Sequence, residues 1–178
     1  MPITLHQLDE TNLSQLNTID GTFTIDAHLV LTCLDGQLSY TVQPVKPYTK
    51  RYPTDEINAS AYLHNLDKIA YLAYLDGQLA GQIILRKNWN RYGYIEDIAV
   101  DAKFRRRGVG RRLIEQAIAW AKERGLPGLM LETQNNNLAA CQLYEACGFH
   151  LGGIDQELYT AIDPGTEEIA LYWYLKNM

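Results

Sequence analysis

The sequence lacks an apolar run that approaches the length needed to span a bilayer, and its N-terminus lacks the basic and apolar segments of a signal peptide. We therefore expect a cytoplasmic protein with no membrane partner. Basic residues are fewer than acidic ones, 16 against 21, which gives a net charge of −5 and disfavours general nucleic-acid binding. The acidity is compatible with a cationic small-molecule partner.

Cysteine is scarce and metal-ligand spacing is missing. Cys33, Cys141 and Cys147 show no CxxC spacing, so we expect reduced thiols that serve in packing. The four histidines show neither an HExxH pattern nor paired spacing, so no metal site is expected.

Low-complexity tracts and flexible linkers are also missing. The 178 residues, 47% of them hydrophobic, therefore predict a single domain over 1–178.

Hydrophobic patterning predicts alternating strands and helices beyond residue 68. Residues 69–75 and 79–85 form a hairpin around Asp76-Gly77, because Asp-Gly favours a tight turn. Strands are predicted at 94–100, 129–133, 149–160 and 168–175, and helices at 110–124 and 138–147. This order predicts an α/β (α+β) fold in which helices cover a mixed sheet.

The N-terminal third is less regular. Residues 11–19 and 55–66 are interpreted as helices, and the Asp35-Gly36 turn predicts a hairpin that ends near Pro44 and Pro47. In the strand at 94–100, simple alternation places Glu96 and Asp97 on opposite faces.

Residues 104–110, FRRRGVG, join a predicted strand to a predicted helix. Glycine lets the backbone approach an anion closely, and free N–H groups at a helix N-terminus favour negative charge. Three arginines there oppose the helix dipole, which favours a bound pyrophosphate over a solvated basic turn. The nucleoside-triphosphate pattern GxxxxGK[ST] is missing, and the dinucleotide fingerprint fails because Leu113 stands where a third glycine is needed.

The spacing Arg105-x-x-Gly108-x-Gly110 is similar to the [RQ]-x-x-G-x-[GA] signature of the GNAT acetyltransferases. Residues 94–101, YIEDIAVD, resemble the strand before that signature, and residues 137–149 resemble the helix after it. The resemblance implies a GNAT-type fold with a mixed, mostly antiparallel central sheet flanked by helices. It also implies acetyl-CoA as co-substrate, in the cleft between splayed central strands, and no metal.

More narrowly, residues 69–175 resemble the streptothricin (nourseothricin) acetyltransferases. The resemblance rests on IAYLAYL at 69–75, LETQNNN at 131–137 and IALYWYL at 169–175, and the lysines and aromatics of 47–52 also fit. It implies acetylation of an amine on the β-lysine moiety of streptothricin, and hence antibiotic resistance.

The resemblance also implies direct transfer in a ternary complex, in which Tyr144 protonates the departing thiolate. Asn137 lies two helical turns earlier and is expected to share a face with Tyr144. The expected cofactor contacts are Ile98, Ala99, Val100, Arg105, Arg106, Arg107, Gly108, Val109, Gly110, Asn137 and Tyr144.

An ammonium acceptor must lose a proton before it attacks. A lysine-like amine with a pKa of about 10.4 costs roughly 4.6 kcal/mol to deprotonate at pH 7, which a carboxylate or a base-linked water would offset. Glu96 and Glu132 are the candidates, and we assign Glu96 a role in both catalysis and binding. The expected substrate-binding residues are Glu96, Glu132, Asp155 and Glu157. Ordinary exposed acids, or acids paired with arginines, remain the alternative.

Other functions stay open at this point. Within the same chemistry, the alternative acceptors are a polyamine, an aminoglycoside and a protein N-terminus. A non-catalytic acyl-CoA-binding module is a further alternative, although it needs neither Tyr144 nor Glu96. The oligomeric state is also open, with a homodimer among the choices.

Overall fold

The computed structural model describes residues 2–52 and 57–176. These residues contain nine strands and two α-helices. The strands are β1 (Thr4–Gln7), β2 (Phe23–Leu34), β3 (Gln37–Lys50), β4 (Lys68–Leu75), β5 (Gln78–Lys87), β6 (Gly93–Val100), β7 (Gly128–Gln134), β8 (His150–Asp155) and β9 (Ala170–Lys176), and the helices are α1 (Val109–Glu123) and α2 (Leu138–Ala146).

Contacts divide the chain into two compact units. The first comprises the described residues of 1–23 and 51–129, and the second comprises residues 24–50 and 130–176. The expectation of a single domain stays a prediction.

The sheet of the first unit has the strand order β1-β4-β5-β6, and neighbouring strands are antiparallel. The predicted hairpin of β4 and β5 is confirmed. Asp76 and Gly77 both have positive φ, 55° and 74°, as a two-residue hairpin turn requires.

One face of this sheet is covered by α1, which contacts β4, β5 and β6. The helix is amphipathic, and its buried residues are Val109, Leu113, Ile114, Ala117, Trp120 and Ala121. The packing is close at Gly81 of β5, where a Cβ atom would lie 2.9 Å from Val109 Cγ1. Glycine is required there so that the start of α1 can approach the sheet.

The opposite face is covered by the segments around Leu8, Leu16 and Tyr62, which pack on Leu72 and Ile84. The two helices predicted in this part of the chain are wrong. The structure has 3-10 turns at Leu13–Gln15 and Ala59–Tyr62, while residues 55–56 lie outside the described part.

Left-handed residues interrupt both segments. Asn17 and His64 have positive φ, 62° and 52°, and the residues before them, Leu16 and Leu63, have extended backbone conformations. A right-handed helix does not continue through such residues, so each segment has only a 3-10 turn.

A β-bulge in β6 corrects the predicted alternation. The residues on either side of Glu96 pair with consecutive residues of β5, so Glu96 is the extra residue. Glu96 bonds to Arg86, and Asp97 bonds to Gln82. Arg86 and Gln82 are four residues apart on a regularly paired strand and share a face. Glu96 and Asp97 therefore reach side chains on the same face of β5, not on opposite faces.

The second unit contains most of β7, together with β9 and β8 in that order, the helix α2 and the hairpin of β2 and β3. The predicted hairpin at Asp35-Gly36 is confirmed, with φ values of 50° and 76°, and β3 continues past Pro47 to Lys50. The strand predicted at 149–160 is too long. It ends at Asp155, whose carboxylate accepts from the N–H groups of Glu157 and Leu158 and turns the chain.

The predicted α/β class is confirmed, with a mostly antiparallel sheet and two helices. No helix in the described part of the chain is long and apolar enough to cross a membrane.

Candidate active site

The loop before α1 has the geometry of an anion site. Gly108 is the N-cap of α1 with a φ of +86°, and Arg106 also has positive φ, +60°. Among the described residues, no hydrogen bond is donated by the backbone N–H groups of residues 106–110. Several unpaired N–H groups at the positive end of a 15-residue helix suit a pyrophosphate.

The arginines of this loop do not act alike. Arg105 donates from Nε to the carbonyl of Val100 at 3.0 Å and from Nη2 to the carbonyl of Thr22 at 2.7 Å. Arg107 pairs with Asp76 at 3.6 Å between Nη2 and Oδ2. The Arg105 guanidinium therefore holds the loop against the end of β6, and its direct contact with a cofactor stays a prediction.

The predicted pantetheine strand forms as expected. Ile98, Ala99 and Val100 lie at the C-terminal end of β6 and pair with Ile83, Gln82 and Gly81 of β5. Their contact with the pantetheine arm stays a prediction.

Glu96 is held at both of its carboxylate oxygens. Arg86 Nε donates to Oε1 at 2.9 Å, and the hydroxyl of Tyr62 donates to Oε2. The side chain of Glu96 is 23% exposed. Glu96 therefore has one partner on each carboxylate oxygen.

Glu132 has a different environment, in the second unit. It lies on β7, half-buried, and burial raises its pKa to about 7. The hydroxyl of Tyr159 donates to Oε1 of Glu132. That bond stabilises the charged form and acts against the effect of burial. A carboxyl group that titrates near neutrality is suited to accept a proton at physiological pH.

Tyr144 lies on α2 and is 5% exposed. Its ring contacts Phe149 and Trp173, with centroid distances of 5.9 and 6.3 Å. Asn137 does not share a helical face with Tyr144, contrary to the prediction. It is the N-cap of α2 with non-helical φ and ψ, and its Oδ1 accepts from the N–H of Ala140 at 3.3 Å. A cofactor role for Asn137 stays a prediction.

The two remaining acids are near each other but are not on one strand face. Asp155 ends β8, and Glu157 is exposed in the following turn, where it accepts from the hydroxyl of Thr160. The pKa of Tyr172 on β9 is raised by burial and further by the charges of Glu132 and Asp155. Glu132, Asp155 and two tyrosines thus form an acidic and aromatic cluster.

A model described as the Acetyltransferase (GNAT) family matches residues 37–149, more than half of the chain. The chain belongs to this family. Streptothricin acetyltransferase A of Bacillus subtilis is 39% identical over 171 residues, which cover 96% of this chain and 98% of that protein. A streptothricin acetyltransferase of Escherichia coli is 40% identical over 149 residues, covering 84% and 80%.

A solved structure of a Bacillus anthracis protein, assigned as a streptothricin acetyltransferase and in complex with acetyl coenzyme A, has the same fold. It is 44% identical, covers 99% of this chain and 100% of its own, and has a TM-score of 0.93. The GNAT fold and acetyl-CoA as co-substrate are thereby confirmed, and the chain is an acetyl-CoA-dependent acetyltransferase.

Two partners of the candidate acids were not found from the sequence. Tyr62 and Tyr159 contact the candidate acids, and they lie 34 and 27 residues away from them. Neither belongs to a motif, and the elements predicted around them, a helix at 55–66 and a strand at 149–160, do not extend over these residues in the structure. Only the tertiary contact identifies each tyrosine. In residues 2–52 and 57–176, no group of three His, Cys, Asp or Glu side chains could hold a metal ion.

Proposed function

We propose that this acetyltransferase transfers the acetyl group of acetyl-CoA to a primary amine of streptothricin, on its β-lysine moiety, and so confers resistance to the antibiotic. The observation that carries the proposal is the identity of 39% with a streptothricin acetyltransferase over 96% of this chain and 98% of that protein. The reaction is placed in the cytoplasm, since the enzyme needs acetyl-CoA in its own compartment.

The acidic and aromatic cluster of the second unit supports a cationic acceptor. Glu132 is half-buried, and the charge of Asp155 acts on the same neighbour, Tyr172. Carboxylates attract an ammonium group, and tyrosine rings offer cation–π contact and apolar surface to a sugar or ring system. Asp155 and Glu132 are therefore proposed to bind the acceptor.

Glu132 is the carboxyl that we propose as the proton acceptor. Its pKa of about 7 lets it take a proton from the ammonium group of the acceptor near neutral pH. Glu96, which was favoured from the sequence, has both oxygens occupied by Arg86 and Tyr62. Through these contacts Glu96 orients the side chains of Arg86 and Tyr62. Its catalytic role stays a prediction.

Tyr144 is proposed as the general acid that protonates the departing thiolate in direct transfer. Acetyl-CoA supplies the activated acyl group when bound. The N–H groups of residues 106–110 would hold its pyrophosphate, because they point from a helix N-terminus and have no partner among the described residues. Gly108 suits this role because a Cβ atom there would meet only Ile3, at 3.9 Å, and would otherwise face open space.

The proposal is tested by acetyl-CoA turnover with streptothricin, spermidine and one aminoglycoside at the same salt concentration. We expect the highest kcat/KM for streptothricin, with a KM that rises with ionic strength at nearly constant kcat, because salt screens a polycation from an acidic surface. A higher kcat/KM for spermidine or the aminoglycoside would refute streptothricin as the substrate and leave the acetyltransferase activity standing.

A further inference from the structure

The second unit contains a polar cavity that the candidate roles above do not use. Its volume is about 300 Å³, which is large enough for a small ligand or for one part of a larger one. The charged and aromatic residues that line it are His28, Tyr48, Lys50, Asp163, Glu167 and Glu168.

The floor of the cavity is rigid because Asn135 ties two chain segments together. Its backbone N–H donates to the carbonyl of Ile169 at 3.0 Å, and its carbonyl accepts from the N–H of Leu29 at 2.8 Å. Its side chain repeats both connections: Nδ2 donates to the carbonyl of Leu29, and Oδ1 accepts from the N–H of Ile169. A site held by four such bonds needs little ordering when a ligand binds.

The lining of the cavity is negatively charged. Glu168 is bound by Lys50 and accepts from Nδ2 of Asn136 at 3.1 Å. Asp163 and Glu167 are exposed carboxylates at the rim. Three carboxylates against one ammonium leave a formal charge of −2 when His28 is neutral. Burial lowers the pKa of Lys50, and the charge of Asp163 opposes that effect.

Aromatic surface lies beside these charges. The rings of His28 and Tyr48 meet edge to face with centroids 6.5 Å apart, and Nε2 of His28 lies 3.3 Å from the hydroxyl of Tyr48. A negatively charged cavity with an aromatic side suits a positively charged, planar or compact group, which is a guanidinium or an ammonium.

Two chain segments connect this cavity to Glu132. Asn135 follows Glu132 by three residues along β7 and its extension, which corresponds to about 10 Å at roughly 3.3 Å per residue. In the other segment, Tyr159 contacts Glu132, and its carbonyl accepts from the N–H of Asp163 at 2.9 Å. The carboxyl group and the cavity are therefore built from the same two pieces of chain.

We propose that this cavity is a second acceptor subsite, which binds a guanidinium or ammonium group of a polycationic acceptor beside the chain segment that carries Glu132. The role in acetyl transfer rests on the proposed function. Binding of a cation in the cavity does not depend on the proposed function. An acceptor with two cationic groups would gain affinity from the second group without any change in the chemical step.

The kinetic test compares streptothricin with butylamine, which has a single cationic group and cannot reach both positions. In the double variant Asp163→Asn, Glu167→Gln, we expect KM for streptothricin to rise about three- to tenfold at unchanged kcat, since exposed charges are partly screened. KM for butylamine should not change. An unchanged KM for streptothricin, or an equal rise for butylamine, would overturn the subsite.

The matched control is Asp35→Asn. It also removes one carboxylate from the second unit, but from the hairpin turn, where Asn-Gly is as favourable as Asp-Gly. KM for both amines should stay at the wild-type value, so a rise there would show a general loss of attraction and count against the subsite.

Direct binding separates this proposal from the proposed function. Agmatine, which carries a guanidinium and an ammonium group, is titrated into the protein while the ring signals of the four histidines are followed by NMR. We expect a saturable shift of the His28 signal, with a Kd that rises about three- to tenfold in the double variant. A His28 signal that does not move, or that moves without saturation, would overturn the subsite. A saturable shift in a protein that fails to acetylate streptothricin would uphold it and refute only the substrate.

Discussion

Tyr159 donates the hydrogen of its phenol to Oε1 of Glu132, across 27 residues of sequence. Burial raises the pKa of this same carboxyl group to about 7. One contact therefore links an irregular segment after β8 to the carboxyl group that we propose as the proton acceptor. It also sets two opposing effects on that group, since desolvation disfavours its charge and the phenol stabilises it.

Replacing Glu132 tests its role as proton acceptor. Only the deprotonated carboxylate accepts a proton, so kcat/KM in the wild type should rise as pH increases through about 7. We expect Glu132→Gln to lower kcat by roughly 10²-fold and to abolish that rise. The control is Glu115→Gln, which breaks an exposed pair with Arg112. A variant with wild-type kcat and an unchanged pH profile would exclude Glu132 as the base.

Removing the phenol of Tyr159 should move the same pH profile. Tyr159→Phe keeps the ring and deletes the donor that stabilises the Glu132 carboxylate. The pKa of Glu132 should rise, so the midpoint of the kcat/KM profile should shift to higher pH by about half a unit to one unit. Acetyl-CoA affinity, measured by calorimetry, should not change. A midpoint that stays in place, or moves to lower pH, would contradict the link between the two residues.

Tyr144→Phe tests the general acid. The variant keeps the ring packed on Phe149 and Trp173 and removes only the hydroxyl. Turnover should fall by roughly 10²- to 10⁴-fold, while acetyl-CoA affinity and thermal stability stay close to the wild type. Single-turnover measurements isolate the chemical step. Wild-type turnover under those conditions would assign Tyr144 to packing alone.

Gly108→Leu tests the phosphate loop, with Gly77→Leu as its matched control. Both glycines have positive φ, +86° and +74°, and neither has a close neighbour in the way of a Cβ atom. Both variants should therefore lose a similar roughly 1–2 kcal/mol of stability through backbone strain. Only Gly108→Leu should weaken acetyl-CoA binding, by at least about tenfold, since only that side chain would obstruct the helix N-terminus. Equal affinity in the two variants would refute the loop assignment.

Asp97→Asn tests the energetic cost of burying the carboxylate of Asp97. Burial raises the pKa of Asp97, and the hydrogen bond from Gln82 only partly offsets this. A raised folded-state pKa means that the folded protein binds the proton more tightly than the unfolded chain. The stability of the wild type should therefore fall as pH rises from the unfolded pKa, 3.8, through the folded one. At pH 8 the uncharged variant should gain roughly 1 kcal/mol, or about 2–4 °C in Tm. If the variant has a lower Tm than the wild type at pH 8, the charged carboxylate of Asp97 stabilises the fold and this prediction is wrong.

Much of the fold followed from the sequence because its signals are local. The Asp-Gly turns and the apolar stripe of α1 each lie within a few residues, and both are present in the structure. The helices predicted at 11–19 and 55–66 are wrong for an equally local reason. Asn17 and His64 have positive φ, which interrupts a right-handed helix and which hydrophobic periodicity does not report.

The sequence by itself determined the family, because the spacing Arg105-x-x-Gly108-x-Gly110 and the motifs beside it are local signals. It also predicted a cofactor loop where Gly108, with positive φ, begins α1. Only the tertiary structure shows the environment of each candidate carboxyl group. In the sequence, Glu96 and Glu132 are both glutamates on predicted strands. In the structure, Arg86 and Tyr62 contact both oxygens of Glu96, while burial raises the pKa of Glu132 to about 7 and the hydroxyl of Tyr159 donates to it. A pKa depends on solvent exclusion and on partners that are distant in sequence, and only folding brings those partners together.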